Sequence, residues 1–318
     1  LPSFAFSNEN SAIVLMYHRF DQDQHPSTSI SSELFRKHLE IIQSKGFKVV
    51  SLDYLVELLK EEKVIPDKTV AITVDDAFKS FFERAYPILK EFDYPFSVFV
   101  STDSISNSMN SDYMSWEMLK ELSLNRGLIL NHTVNHESLI KLNDEEIVFQ
   151  VSNASKMINS KLGKQPSILS YPYGESSLRV ERIIKNLNIE AAFSQHSSPL
   201  NNFDSIYRLP RFALNDVYGK IDRFEMILNT LRLPIFEDSY KDIVLYEDEI
   251  NLKFKSNLKV DNINCFINEG AKLNKEDFND FFSLRISNLK INTRYRLNCT
   301  YIKNNKIFWY GKIIKRIN

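Results

Sequence analysis

The chain has 318 residues, of which 43% are hydrophobic and 25% are charged, so it carries enough apolar material to bury a core. Forty basic residues against 41 acidic ones give a net charge of −1, and the chain has no arginine-rich tract or zinc-finger spacing, which argues against nucleic acid as a partner. No stretch approaches the roughly 20 apolar residues that a membrane span requires, so none is predicted.

From residue 12 to residue 213, short β-branched or aromatic runs alternate with longer segments of helical pattern. The predicted strands are 13–17, 49–50, 70–74, 96–100, 128–130, 168–169 and 191–193. The predicted helices are 33–45, 52–63, 81–92, 116–124, 143–162 and one between the last two strands. Each crossover helix returns the chain to the same edge, so the strands are expected to be parallel. This many units favours a closed or nearly closed, α/β-class (β/α) barrel.

After about Pro234 the pattern changes to short strand-like runs separated by Asn, Lys and Gly, behind a last helix predicted at 216–231. These runs lie at 252–254, 264–267, 282–286, 295–299 and 307–310. Weak helical periodicity there predicts a small antiparallel β-sandwich. We therefore expect a catalytic barrel at 1–233 and a β-sandwich accessory domain at 234–318. Trp309 and Tyr310 are either a carbohydrate-binding face or, as is usual for strand aromatics, core.

Two features bear on the cellular compartment. Residues 1–7 are apolar and rich in small residues, which fits the tail of a cleaved secretion signal and equally a short arm packed on the domain. Cys265 and Cys299 both lie in the last quarter of the chain, which fits a disulfide in an oxidising compartment, with buried free thiols as the alternative. Together these features favour a secreted, periplasmic or cell-envelope protein.

Two adjacent carboxylates, Asp75 and Asp76, directly follow the predicted strand at 70–74. In a parallel barrel, active sites gather at the carboxyl ends of the strands. Two neighbouring negative charges repel each other unless a cation or a proton lies between them. One carboxylate can then hold a metal while the other acts as a base. For an isolated Asp-Asp pair, an acidic turn without function is the alternative.

Two histidines four residues apart, His132 and His136, directly follow the predicted strand at 128–130. At that spacing, two imidazoles reach one ion from a single helical turn. Because both pairs follow strands, we expect them on the same rim, where Asp76 and the histidines supply three ligands and leave a position for water. A metal lowers the pKa of that water, and Asp75 removes its proton. Satisfied surface histidines are the alternative.

Three segments resemble, in order, the main motifs of the polysaccharide deacetylases, the NodB-homology family of carbohydrate esterases. They are Ile72-Thr73-Val74-Asp75-Asp76, Asn131-His132-Thr133-Val134-Asn135-His136 and Ser170-Tyr171-Pro172-Tyr173-Gly174. The resemblance covers about residues 12–213 and implies hydrolysis of N-acetyl groups on an acetylated polysaccharide. It implies Asp75 as base and Asp76, His132 and His136 as ligands of Zn²⁺, or of Co²⁺ or Ni²⁺. An O-acetyl esterase and a non-catalytic glycan-binding barrel are the alternatives.

The same resemblance assigns two further roles. Tyr173 matches the motif whose backbone N–H helps to bind the oxyanion of the reaction. Met16-Tyr17-His18 resembles the family's late Leu-x-His motif moved to the N-terminus, as in the circularly permuted branch that deacetylates poly-N-acetylglucosamine. His18 is therefore the candidate general acid, with a histidine that merely caps the strand as the alternative.

The chain departs from the family pattern at three positions. Ala77 replaces the usual Gly after the aspartates, which predicts a turn without positive φ, and Val74 replaces Phe in a buried strand. Ser170 replaces an arginine that pairs with the catalytic aspartate in many members. Arg211, after the last barrel unit, is the candidate substitute, with a surface arginine as the alternative.

Several residues in or beside the predicted rim loops are candidates for contact with the sugar. Flat rings stack well on pyranose faces, although an aromatic residue that opens a helix is more often core. The candidates are Tyr17, Tyr113, Trp116, Tyr171 and Pro172.

Overall fold

A computed structural model describes residues 10–106 and 112–318, so the segment at 1–7 that bears on export lies outside the described residues. Within these ranges, a parallel sheet surrounded by helices is followed by two further β-sheets. None of the helices described there combines the length and the apolar character needed to cross a membrane.

The first part of the chain alternates strands and helices, as its sequence pattern predicts. The strands are β1 (Ala12–Tyr17), β2 (Arg19–Phe20), β3 (Ser29–Ile30), β4 (Lys48–Val49), β5 (Thr69–Val74), β6 (Phe96–Val100), β7 (Gly127–Asn131), β8 (Ile168–Ser170), β9 (Ala191–Phe193) and β10 (Phe212–Ala213). The helices are α1 (Ser32–Ser44), α2 (Leu52–Lys60), α3 (Tyr86–Phe92), α4 (Thr102–Ser106), α5 (Trp116–Leu124), α6 (Asp144–Leu162), α7 (Leu178–Ile184) and α8 (Ile221–Leu228). A π-helical turn at Phe81–Ala85 leads into α3.

Local side chains set several helix boundaries. Before α6, Asn143 accepts from the Glu146 N–H while the Glu146 carboxylate accepts from the Asn143 N–H, which completes a capping box. The expectation of a helix over 216–231 is wrong at both ends, since α8 covers only Ile221–Leu228. At its start, the Asn215 side chain accepts from the N–H groups of Val217 and Tyr218 and holds the chain in a turn.

The parallel sheet has the strand order β10-β1-β5-β6-β7-β8-β9, and β4 also pairs with β5. Backbone hydrogen bonds then join β9 to the segment that enters β10, from the Ala192 N–H to Ile206 O (2.9 Å) and from the Ser194 N–H to Leu209 O (2.8 Å). The strands therefore curve into a distorted (β/α) barrel, which confirms the predicted class. Strands β1, β5 and β6 are buried along their whole length, as expected of a parallel sheet covered on both faces.

The last part of the chain is all-β, as predicted. Its strands are β11 (Thr230–Arg232), β12 (Ile235–Asp238), β13 (Val244–Leu245), β14 (Ile250–Ser256), β15 (Asn264–Ile267), β16 (Lys272–Asp277), β17 (Phe281–Ser287), β18 (Arg294–Lys303) and β19 (Lys306–Arg316). One sheet has the order β11-β19-β18-β15 with β13 also on β19, and the other has the order β12-β14-β17-β16. Alternate residues of β14 are buried between the sheets.

One expectation about this region needs correction, and one pair of alternatives is decided. The sheets are not purely antiparallel, because β11 and β13 both run parallel to β19. Trp309 and Tyr310 do not form an exposed carbohydrate-binding face, because both are buried. The Trp309 ring packs edge-on against Phe212 of the barrel, with centroids 5.5 Å apart, and the Tyr310 hydroxyl donates to Asp238. The division at 233/234 stays a prediction, since β11 leaves the barrel and already pairs with β19.

The two cysteines form a disulfide. Cys265 of β15 and Cys299 of β18 are directly paired residues of neighbouring antiparallel strands, and their sulfurs are bonded. The bond links two residues that are 34 positions apart in the sequence and ties the edge strand β15 to the centre of its sheet.

Candidate metal centre and active site

The candidate side chains meet at the carboxyl ends of neighbouring barrel strands. Tyr17 at the end of β1 pairs with Val74 at the end of β5, and its carbonyl accepts from the Asp75 N–H at 2.9 Å. His18 and Asp75 therefore leave the sheet side by side. On the other side of β6, the His132 N–H donates to Val100 O at 3.0 Å, which fixes the point where the histidine loop begins.

Asp76, His132 and His136 form a compact cluster. One ligand atom from each lies within 4.8 Å of the others. The Nε2 atoms of His132 and His136 lie 3.4 and 3.3 Å from Asp76 Oδ1. The His132 side chain is buried, whereas those of His136 and Asp76 are 27% and 19% exposed. The three residues thus face one point that opens to solvent on one side.

The histidine pair lies on a loop, so the expectation of a single helical turn is wrong. Thr133 and His136 both have positive φ, at 71° and 61°. The Asn131 side chain accepts from the Thr133 N–H at 2.7 Å, and Thr133 Oγ1 accepts from the His136 N–H at 3.1 Å. Gln150 of α6 accepts from two further N–H groups of the loop. These bonds replace those that a helix would make, and they keep the Nε2 atoms of both imidazoles facing Asp76.

The residues present fit a divalent transition metal. His132 Nδ1 lies 2.7 Å from Ser170 O, so this nitrogen carries the proton and Nε2 turns its lone pair towards the cluster. Buried Nε2 has no hydrogen-bond partner within the described residues. Burial also lowers the pKa of His136 to about 4, which favours the neutral imidazole that binds metals. Two imidazoles and one carboxylate are a donor set that suits Zn²⁺, Co²⁺ or Ni²⁺.

Asp75 is held by Arg211 in a fully buried ion pair. Arg211 Nη1 and Nη2 lie 2.7 Å from Asp75 Oδ1 and Oδ2, and neither side chain has any exposed surface. Arg211 is therefore not a surface residue. Burial by itself would raise the pKa of Asp75, but the guanidinium and His132 outweigh burial and hold this pKa below its usual value. The carboxylate stays ionised in the absence of water.

Ser170 completes this ion pair. Its hydroxyl accepts from Arg211 Nη2 at 2.7 Å and donates to Asp75 Oδ2 at 3.2 Å. The guanidinium that many family members bring from position 170 therefore comes from position 211 in this chain. Because the serine side chain is small, the guanidinium of Arg211 has room beside it.

The prediction that Ala77 needs no positive φ is wrong. Asp76 and Ala77 have φ values of 71° and 56°, a conformation in which Cβ crowds the backbone. The chain turns sharply after β5, so that Asp75 stays inside the barrel while Asp76 faces the histidines. The turn is held where Ala77 O accepts from the Met114 N–H at 3.0 Å. The family's usual Gly suits this conformation better than the Ala present here.

Tyr173 lies in a 3₁₀ turn (Pro172–Gly174) beside the cluster. It also has positive φ, at 60°, and its half-exposed ring meets the His136 ring edge-on at 4.7 Å. In the described part of the chain we find no intramolecular acceptor for the Tyr173 N–H. His18, half-buried, lies close enough for its charge to act on Asp75, Asp76 and His136.

The predicted sugar contacts fit less well. Tyr17 and Tyr171 are fully buried, and their hydroxyls bond to His38 Nδ1 (3.0 Å) and Tyr207 O (2.8 Å), so neither presents a ring to substrate. Pro172 is buried as well, and Trp116 packs against the barrel core. For Tyr17, Tyr171 and Pro172 the expectation is wrong, because these three residues are buried. For Trp116, which is only partly buried, the contact with sugar stays a prediction.

The fifth candidate, Tyr113, lies in a cluster with Phe78 and Arg19. Tyr113 stacks on Phe78, with centroids 5.0 Å apart, and the Arg19 guanidinium lies 3.4 Å above the Phe78 ring centroid. Sequence reasoning missed Arg19 and Phe78. The available signal was their position in the sequence, since Arg19 follows His18 directly and Phe78 lies two residues after Asp76.

Comparison with known proteins agrees with this geometry. Residues 62–192 match the family model described as polysaccharide deacetylase. A poly-beta-1,6-N-acetyl-D-glucosamine N-deacetylase of Staphylococcus aureus (strain MSSA476) is 25% identical over 246 residues, covering 69% of this chain and 82% of the relative.

Solved structures share the fold. IcaB from Ammonifex degensii superposes with a TM-score of 0.62 at 21% identity, over 69% of this chain and 97% of its own. The Streptococcus pyogenes deacetylase PplD, in complex with acetate, has a TM-score of 0.61 at 20% identity, over 65% of this chain and 93% of its own. Residues 62–192, which contain all three motifs, therefore form a polysaccharide deacetylase (NodB-homology) domain, as the resemblance of those motifs predicts.

Proposed function

We propose that the chain is a metal-dependent polysaccharide N-deacetylase that acts on N-acetylglucosamine units. Family membership supports a hydrolase that removes acetyl groups. The observation that carries the proposal is the juxtaposition of two elements: the ionised Asp75, paired with Arg211, and the unpartnered Nε2 of His132 in the neighbouring cluster. A protein that only bound glycan would need no buried, ionised base beside three ligands.

Asp76, His132 and His136 would hold the metal, for which Zn²⁺ is proposed and Co²⁺ and Ni²⁺ are alternatives. A divalent ion bound there polarises the acetyl carbonyl and lowers the pKa of a water that acts as the nucleophile. The Ser170 carbonyl keeps the His132 ring in the tautomer that leaves Nε2 available.

Asp75 acts as the general base in this proposal. Its carboxylate takes a proton from the attacking water as the water oxygen bonds to the acetyl carbon. Arg211 and Ser170 keep the carboxylate ionised and fix its orientation. Because this pairing is preformed, no solvent has to reorganise during the step.

Tyr173 and His18 act on the acetyl oxygen and on the leaving nitrogen. The Tyr173 N–H donates to the oxyanion that develops on the acetyl oxygen. As the carbon–nitrogen bond breaks, His18 gives a proton to the leaving nitrogen, so that acetate and a free amine are released. The position of His18 at the end of β1, beside Asp75, supports this role.

The choice of polymer is also part of the proposal. The Staphylococcus aureus relative is named for poly-β-1,6-N-acetylglucosamine, and we propose the same substrate class for this chain. We further propose a barrel at 1–233, a separate accessory unit at 234–318 and an exported protein. The disulfide between Cys265 and Cys299 supports export, since such bonds persist in oxidising compartments.

The test is acetate release from β-1,6-linked N-acetylglucosamine oligomers by the metal-loaded chain. Release by the wild type that disappears in Asp75→Asn and His132→Ala is the expected result. Asp53→Asn, an exposed carboxylate in the first turn of α2, is the matched control and should retain full activity.

Two other results point to the alternatives. Release from O-acetylated glycans alone would replace the N-deacetylase with an esterase that uses the same residues. Saturable binding of oligomers without any release of acetate, with the metal present at one equivalent, would leave a glycan-binding barrel.

A further inference from the structure

The turn that carries Tyr173 is held by the C-terminal sheets as well as by the barrel. Arg294, the first residue of β18, donates from Nη1 to the Tyr173 carbonyl. The same nitrogen lies 3.5 Å from Gln195 Oε1 of the barrel. The guanidinium thus spans the loop proposed to bind the oxyanion and the segment that follows β9.

A second contact comes from the neighbouring strand. Lys315 of β19 is directly opposite Arg294 in the antiparallel pair, and its Nζ lies 3.0 Å from Glu175 Oε1. The other oxygen of Glu175 accepts from Ser138 Oγ at 2.5 Å, and Ser138 follows His136 by two residues. Both charged side chains are more than nine-tenths buried. One buried pair therefore joins β19, the Tyr173 turn and the histidine loop.

Close backbone contacts hold the strands that carry Arg294 and Lys315 next to the Tyr173 turn. A Cβ on Gly311 of β19 would lie 2.1 Å from the Ser197 carbonyl oxygen, so only Gly allows this approach. Ser198 Oγ also donates to Trp309 O at 3.2 Å. On the other side, Gly174 has a φ of 70°, and a Cβ there would lie 2.5 Å from the Gln195 nitrogen. Strand β19 and the Tyr173 turn are thus pressed against the same segment, 195–198.

We propose that Arg294 and Lys315 are positioning residues of the deacetylation site, and that the C-terminal sheets serve to hold the Tyr173 turn. The idea rests on the function proposed above for the Tyr173 N–H. Tyr173 has the left-handed backbone that is unfavourable for a residue with Cβ, and such a conformation persists only where its surroundings hold it. Arg294 supplies that restraint at the Tyr173 carbonyl, and Lys315 supplies it two residues later at Glu175.

Arg294→Met tests the first contact. We expect kcat to fall by roughly 10- to 100-fold with KM within about twofold, because a displaced oxyanion donor weakens the transition state more than the bound substrate. Arg294→Lys, which keeps a cationic donor, should recover much of the loss. Arg285→Met is the matched control, since Arg285 pairs with Glu249 on the exposed surface of the other sheet.

Amide hydrogen exchange of the full chain provides a readout that does not depend on catalysis. Arg294→Met should accelerate exchange in the peptide covering 171–176 by roughly tenfold or more and leave β14 and β17 unchanged. Lys315→Met alone would strand a buried carboxylate, so the double variant Lys315→Met/Glu175→Gln tests the second contact. It should accelerate exchange at both 171–176 and 133–138.

The two proposals fail in different ways. A wild-type chain that releases no acetate overturns the proposed function, while exchange still tests whether the turn is held. Wild-type kcat together with unchanged exchange at 171–176 in Arg294→Met would overturn the positioning role. A parallel loss of kcat in Arg285→Met would do so too, because the effect would then be a general loss of structure.

Discussion

The candidate site has a closed side and an open side, and the two sides hold charge differently. The closed side consists of Asp75, Arg211 and Ser170, which have no contact with solvent. The open side consists of Asp76, His136 and Tyr173, which are all partly exposed. On the closed side, each charge is satisfied by a protein partner, so this region is complete without a ligand. On the open side, the donors converge on a point that the protein does not fill, so this region is built to take one.

Arg211→Met disrupts the closed side and should have the largest effect on the free energy of unfolding. Removing one partner of a buried pair leaves a charge in a water-free site, which costs about 3–5 kcal/mol in the free energy of unfolding. The pKa of Asp75 should rise, so acetate release should fall by roughly 100-fold or more at neutral pH. Urea unfolding and acetate release measure the two effects.

Two matched variants sharpen this prediction. Arg36 likewise donates from two nitrogens to one carboxylate, that of Glu91, but this pair lies on the surface. Arg36→Met should therefore hardly change the free energy of unfolding. The double variant Arg211→Met/Asp75→Asn should recover most of the lost stability and none of the activity. If Arg211→Met were as stable as the wild type, the closed side would not depend on charge pairing.

His136→Ala attacks the open side and should have the opposite pattern. Loss of one of three ligands should reduce bound metal and lower activity by roughly 1000-fold, since a metal contributes several kcal/mol to the transition state. The stability of the metal-free chain should hardly change, because His136 and its neighbour Asp76 are both partly exposed to water. Metal content and acetate release measure the effect. His25→Ala, outside the cluster, is the control, and an equal loss of metal there would contradict the assignment.

His38 lies beside the site and shows what burial does to a group without a counter-ion. It is fully buried between the Tyr17 hydroxyl and the Gly219 carbonyl, and burial lowers its pKa to about 4. A pKa below that of the unfolded chain makes the unfolded state bind more protons in acid. The resulting stability is present above about pH 6.5 and is lost as the pH falls towards 4.

The expected loss from His38 is about 3 kcal/mol across that pH window. His38→Gln should remove this part of the pH dependence, so the difference between wild type and variant should shrink as the pH falls. Urea unfolding at pH 7.5, 5.5 and 4.5 measures the difference. A constant difference across this range would mean that the pKa of His38 is the same in the folded chain as in the unfolded chain.

Ser170→Ala is the mildest change to the closed side. The serine bonds to both members of the ion pair, and hydrogen bonds to charged groups contribute about 2 kcal/mol. We expect a loss of that size in urea unfolding, with the Asp75–Arg211 pair still formed and most activity retained. Ser123→Ala, an exposed serine of α5, should be neutral. A loss of activity as large as in Arg211→Met would mean that Ser170 has a chemical role of its own.

The sequence by itself predicted the barrel and the residues that end its strands. Strand β6 and helix α5 have the predicted bounds, because apolar runs, Gly stops and capping side chains are local signals. Asp75, Asp76, His132 and His136 all follow buried strands, and parallel strands bring their carboxyl ends to one rim. The position of these four side chains therefore follows from periodicity and fold class together.

Other features could not be decided from local sequence patterns, and only the tertiary structure settled them. Arg211 is a buried partner of Asp75 and not a surface residue, because barrel closure through 206–211 brings it across the sheet. Ala77 takes positive φ because Asp76 must turn towards the histidines. Arg294 reaches Tyr173 only because β18 and β19 pack against the segment after β9. Such contacts join residues far apart in the chain, and their geometry depends on register and packing, which short sequence patterns do not encode.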